Sequence, residues 1–340
     1  MAGKNYNNTT GKTDTEKTVK TNPEVITPAA GDQSYEQVKQ EQRFYFNIVK
    51  RRYIWFVISL LIIIPGIVSL FTQGLNLGID FTGGVMLDIK FNQTVTQAQV
   101  TKAIESIGLT GQVQMTGNNE VLIRTTFMDE QKRSELLAAI QKDAASFDPS
   151  NLKEDSVGPA IGAELRSGAI KAMVLAAALI LLYVSIRFRF VYAFSGIVAL
   201  LHDILVTVGI FSIFQWQIDS SFIAAILTVF GYSINDTVVI YDRIRENEKR
   251  MKKKDSFEDM VDKSVWQTMG RSVKTVGTVI IALLCIFFLG GESTKVFALA
   301  MTIGVFSGAY SSIFTASQLV VEIKKRMAGP SKKSSPAEAN

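Results

Sequence analysis

The sequence predicts a polytopic α-helical membrane protein, six transmembrane helices carrying one small α+β domain of ferredoxin-like order outside the cytoplasm. Three observations point there. Apolar runs long enough to cross a bilayer recur six times. The short loops on one side of these runs are basic and those on the other are not. Charge also divides between two compartments: Gln73 to Leu165 holds 12 acids and 7 bases, the remainder 19 acids and 29 bases. A membrane explains that division better than nucleic-acid binding does, because the basic residues flank apolar spans.

Taken in order, residues 1–42 are rich in Thr, Asn, Lys, Glu and Gln with almost no large apolar side chain, and read as a disordered cytoplasmic tail. The first apolar run starts too late for a secretory signal peptide. The first span, Tyr53 to Phe71 within the segment 43–71, follows Arg43, Lys50, Arg51 and Arg52, which sets its leading end in the cytoplasm. Pro65-Gly66 near its outer end predicts a kink that neighbouring helices can accommodate.

The segment 72–165 is hydrophilic and should lie outside. Val85 to Phe91 alternates as a strand does. A helix is predicted from Thr96 as cap to Ile107, ended by Gly108. Gln112–Thr116 and Val121–Phe127 read as a hairpin about Gly117-Asn118-Asn119, with a second helix over Asp129–Ala145. The order β-α-β-β-α suggests a ferredoxin-like domain.

Five more spans occupy 166–323: Gly168–Ile186, Val191–Phe214, Ser220–Tyr241, Thr275–Leu289 and Val296–Val321. A basic cytoplasmic loop, 242–272, separates the fourth and fifth, with an amphipathic helix from Ser256 to about Gln267. Residues 324–340 form a second cytoplasmic tail, so both termini are expected inside. In the last span Ala300, Gly304, Gly308, Ser312 and Ala316 recur every four residues, a small-residue seam that admits a neighbouring backbone.

Polar residues inside spans are costly and therefore informative. The fourth span carries Asn235 and Asp236 side by side, and Ser233, Asp236, Ile240, Arg243 and Asn247 share one stripe of that helix. The third holds His202-Asp203 near its centre, and Arg271 opens the fifth, followed by Lys274. Asp236 is either a permanently ionised member of a buried pair or a carboxyl that takes up and releases protons as a cation moves. Arg271 and Lys274 either serve Asp236 or snorkel to the interface. His202 either relays protons or packs with its hydrogen bonds filled.

These stretches resemble one family. Gly231-Tyr232-Ser233-Ile234-Asn235-Asp236-Thr237 with its continuation to Asn247 is similar to the signature of the SecF family of bacterial protein-export subunits. So are the Asp80-Phe81-Thr82-Gly83-Gly84 element at the domain–membrane junction, Ser156-Val157-Gly158-Pro159, and Ala199 to Asp203. Arg271, Thr275 and Thr278 fit a further family motif from which Ser272 and Gly277 depart. The resemblance implies half of a twelve-helix assembly of the RND superfamily, completed by SecD. It further implies work beside the SecYEG channel, with YajC/YidC-type accessory proteins and a secreted polypeptide as partners, in the bacterial cell membrane. Its proton path would run through Asp236 and Arg271, with Asn235, His202 and Asp203, powered by the proton-motive force. A passive scaffold of the translocon and an RND-type exporter of small molecules are the alternatives. An outer region of about 90 residues is small for the latter.

Enzymatic readings find no footing in the residues. There is no nucleophile–base constellation and no phosphate loop, one cysteine excludes a disulfide framework, and one histidine excludes a histidine-rich metal site. No cofactor, metal or nucleic acid is expected.

Overall fold

A computed structural model describes residues 34–42, 44–117, 119–252 and 255–327. Most of the two expected tails (1–33 and 328–340), with Asn118 of the hairpin turn, lies outside the described residues. The part of the first tail that is described corrects the expectation of disorder. Helix α1 (Tyr35–Glu41) begins in a capping box, in which the Ser34 hydroxyl and the Gln37 side chain each accept the other's backbone N–H. Seven residues cannot hold a helix alone. Val38 is buried in the same hydrophobic cluster as the membrane helices, so tertiary contact supplies what composition did not show.

Helix α2 (Arg52–Thr72) runs unbroken through Pro65. Next come the one-turn α3 (Ile79–Thr82), then β1 (Gly84–Phe91), α4 (Gln97–Ser106), β2 (Gly111–Met115), β3 (Glu120–Thr125) and α5 (Glu130–Asp143). Local chemistry sets these limits. Thr96 and Asp129 cap α4 and α5, and Gly108 takes the left-handed conformation that stops α4. Strand β4 (Phe147–Val157) completes an antiparallel sheet in the order β2-β3-β1-β4, the ferredoxin-like arrangement. It is an exposed edge strand containing Pro149 and four charged residues, so it carries no apolar alternation to read. On the covered face Leu87, Ile89, Val121 and Ile123 pack against Val100, Ile104, Leu136 and Ile140 of α4 and α5. On the other face Met86, Leu122 and Arg124 border a cavity of about 400 Å³ shared with Phe211 and Trp216 of the bundle.

The bundle continues with α6 (Pro159–Arg187), α7 (Phe190–Ile213), α8 (Ser220–Arg250), α9 (Phe257–Leu289), α10 (Glu292–Ser311) and α11 (Ser317–Met327). Among the described residues six helical segments are long and apolar enough to span a membrane, so the chain is a multi-pass membrane protein. Helices α7, α8 and α10 form the centre, with about half of their most apolar stretches buried, while only 6% of that stretch is buried in α6. Several boundaries differ from expectation: α6 begins at Pro159, inside the segment read as the outer domain, and α8 continues past Tyr241 to Arg250, into the expected loop. The amphipathic segment after Ser256 and the fifth span are one helix, α9, of 33 residues, about 50 Å long. The sixth span is interrupted by a π-helical turn, Ser312–Ala316, between α10 and α11. There the Ile313 carbonyl accepts from both Ser317 Oγ and Gln318 Nε2, which satisfies the backbone the wider turn frees.

Candidate functional site within the bundle

The small-residue seam brings α10 onto α8. A Cβ on Gly304 would stand 2.3 Å from Val229 Cγ2, and one on Gly308 would stand 3.1 Å from Ser233 Cβ. Ala300 is fully buried, and the Ser312 hydroxyl meets that of Thr237 at 2.7 Å. This close approach sets the geometry of the polar centre, because hydroxyls on α10 then face the carboxyl of Asp203 on α7.

Asp203 is completely buried and surrounded by donors. Its Oδ2 accepts from Ser233 Oγ at 2.6 Å and from Ser311 Oγ at 2.8 Å. Its Oδ1 accepts from Ser307 Oγ at 2.7 Å and lies 3.1 Å from His202 Nδ1. Three helices thus meet at one carboxylate whose acceptor sites are filled. His202 stacks on Tyr310, whose hydroxyl donates to the Trp55 carbonyl on α2, and its Nε2 has no partner among the described residues. Ser233 stands on the polar stripe read for the fourth span, whereas Ser307 and Ser311 carry no such signal, because nothing in the sequence joins positions on α10 to one on α7.

Asp236 lies three residues along α8 from Ser233 and is 8% exposed. Ser272 of α9 donates to its Oδ1 at 2.7 Å, while its Oδ2 is buried without a partner among the described residues. One of the two positions that depart from the family motif is therefore the one that binds this acid. Arg271, expected beside Asp236, is exposed, and the two side chains form no ion pair. Asn235 is exposed as well, a direct result of helical geometry: consecutive residues point about 100° apart, so Asp236 faces inward and Asn235 outward. Lys274, Thr275 and Thr278 share the exposed surface of α9 with Arg271.

Where α8 leaves the apolar zone its polar stripe is hydrogen-bonded to α9, although the Asn247 Oδ1 is buried without a partner among the described residues. Arg243 Nε donates to Gln267 Oε1 at 2.7 Å, and the Asn247 amide donates to Ser264 Oγ and Gln267 Oε1. Nearby, Asp262 of α9 accepts from the backbone N–H groups of Ile48 and Val49 and from the phenols of Tyr35 and Tyr45. Arg52 bridges Glu258 and Glu322. At the other end, the motif residues Asp80, Phe81, Gly83 and Gly84 sit where the domain meets the bundle, with Phe81 buried among the membrane helices. No cluster of metal-ligating side chains occurs among the described residues.

With this geometry in view, the comparisons with known proteins agree with one another. Residues 137–326 match the family described as "Protein export membrane protein SecD/SecF, C-terminal", and residues 68–95 match the "SecD/SecF GG Motif". The protein translocase subunit SecF of Sebaldella termitidis is 40% identical over 285 residues, which cover 82% of this chain and 92% of that one. Its counterpart in Acidaminococcus fermentans is 41% identical over 290 residues, covering 83% and 98%. Among solved structures, SecDF from Thermus thermophilus, described as a translocon-associated membrane protein, superposes with a TM-score of 0.76 at 34% identity. That match covers 84% of this chain, which spans only 39% of the longer SecDF chain. The chain belongs to the SecF family of protein-export membrane proteins.

Proposed function

We propose that this chain is the SecF-type subunit of a Sec protein translocase, working with SecD to draw secreted polypeptide out of the SecYEG channel at the expense of the proton-motive force. The observation that carries the reading is Asp236: a carboxyl buried in a membrane helix, bonded through one oxygen and, among the described residues, unpartnered at the other. Such a group is poorly satisfied as a fixed anion, because a buried charge needs its lone pairs filled. It suits a site that exchanges a proton or meets a cation from a partner. The exposed Arg271, Lys274 and Asn235 lie on surfaces that a SecD half would cover, since cations and amides facing lipid are costly. Lys50, Arg51, Arg187, Arg189 and Lys324 to Arg326 mark the cytoplasmic end of the bundle in the bacterial cell membrane, with both termini on that side.

Energy supply is adequate in principle, since one charge crossing 100 mV yields about 2.3 kcal/mol. Export is measured in membrane vesicles with the proton and sodium gradients collapsed separately, for the wild type and for Asp236→Asn. The expected result is that Asp236→Asn removes the increment that the proton gradient adds while leaving association with SecD intact. Equal export by both proteins would leave a passive scaffold as the better description.

A further inference from the structure

The segment between α2 and β1 is joined to the bundle more tightly than a linker needs to be. Its chain pairs with the α7–α8 loop: Gly78 N donates to the Ile218 carbonyl and Ile218 N to that of Asn76, each at 2.8 Å. The Asn76 amide donates to the Gln215 carbonyl, and Ser212 Oγ to that of Gly74. Asp80 then reaches across 140 positions of sequence to accept the backbone N–H of Ser220 at 2.7 Å. Ser220 is the first residue of α8, whose own cap, Asp219, accepts from Phe222 N. Two carboxylates therefore serve one helix start, where orphan N–H groups and the helix dipole favour negative charge. One of them belongs to the helix and the other to the outer domain's root.

The far side of this segment is equally close-fitting. Gly83, at φ +72°, lies so near α6 that a Cβ would come within 2.9 Å of Pro159 Cα. Gly84, at φ +137°, would bring one within 2.5 Å of the Thr125 carbonyl of β3, so both positions exclude other residues. Gly84 also opens β1 and pairs with Val157 at the end of β4. Seven residues thus contact α6, α8 and the sheet at once, with Phe81 anchored in the bundle core.

We propose that Gly78–Gly84 is a rigid joint that carries displacement of α8 into the outer domain, with Asp80 the positioning residue that clamps the helix start to it. This rests on the reading that α8 moves with the charge state of Asp236, sixteen residues or about 24 Å further along the same helix.

The test uses the full chain with SecD, Cys285→Ser throughout, and pulsed-EPR distances between two label pairs. Labels at Arg51 and Lys249 report α8, and labels at Phe71 and Lys142 report the outer domain. All four positions are exposed. Asp236→Asn serves as the neutral form. With the joint intact, the substitution is expected to shift both distances. In Asp80→Ala it should shift the α8 pair alone. Ser220→Pro removes the donated N–H from the other side, at a first helical position where proline is tolerated, and should behave as Asp80→Ala does. A domain shift that persists in both joint variants overturns the joint and leaves the Asp236 reading standing. A domain pair that stays still with the joint intact overturns it too. An α8 pair that never responds to Asp236→Asn removes the coupling reading itself, and the joint with it.

Discussion

Two acids inside the same bundle have opposite surroundings. Asp203 is held by three serine hydroxyls and an imidazole on α7, α8 and α10, and both of its oxygens are used. Asp236 has one hydroxyl from the peripheral helix α9 and an oxygen with no partner among the described residues. The first arrangement resists change, since moving any of three helices leaves polar groups unpaired in an apolar medium. The second is open to change, because its missing partner can be a proton, a water or another chain. Burial of a carboxyl alone therefore does not separate a tie from a switch. The count of satisfied lone pairs does.

The largest structural effect should come from emptying the saturated site. Asp203→Ala strands the hydroxyls of Ser233 and Ser307 and the His202 ring, each a buried group that costs about 1–3 kcal/mol when unpaired, while Ser311 retains the Gly308 carbonyl. A loss of about 3 kcal/mol or more is expected, read as a lowered unfolding temperature in detergent and reduced accumulation in the membrane. Asp236→Asn should leave that temperature nearly unchanged, since an amide can still accept from Ser272. If both substitutions destabilise equally, the contrast between the two acids is void.

How much of this was legible beforehand follows the same contrast. The spans, the alternation of β1, and the caps at Thr96 and Asp129 are short-range patterns and stand in the sequence. Asp236 and Asp203 were visible because a carboxyl in an apolar run is conspicuous. What each acid binds was not, since Ser307 and Ser311 lie more than a hundred residues from Asp203. Likewise β4 and α1 owe their form to a paired neighbour and a docking surface rather than to their own composition.

A middle-sized effect belongs to the seam that holds the Asp203 donors in place. Gly304→Leu drives a side chain into Val229 and should cost about 1–3 kcal/mol, the usual price of overpacking. Val229→Ala in the same chain opens space at that point and should recover part of the loss. The double-mutant cycle measures the coupling directly. Additive losses would mean that α8 and α10 do not meet through this pair.

The smallest effect sharpens the rule outside the apolar zone, where Asp262 offers a third carboxylate, saturated like Asp203. Two backbone N–H groups and the phenols of Tyr35 and Tyr45 converge on it, and Tyr45 also packs against Trp266 at 5.5 Å between ring centroids. Burial first, then for Tyr45 its hydrogen bond with Tyr35, and the Asp262 carboxylate beside both, push the Tyr35 phenol up to about 12 and that of Tyr45 higher still, against about 10 for a free tyrosine. A raised acid is neutral in the fold, and only the neutral phenol can donate to the carboxylate. The stability this gives is therefore complete below pH 10 and is lost as the pH climbs from about 10 through 12 and beyond. In Asp262→Asn the neighbouring charge is gone, so part of the phenolate absorbance that appears late in the wild type should move toward pH 10. The Trp266 emission change that reports release of Tyr45 should move with it. Superimposable titrations of the two proteins would show that α1 and the stretch after it are not fastened through Asp262, and that filling a carboxylate's lone pairs does not by itself make a tie.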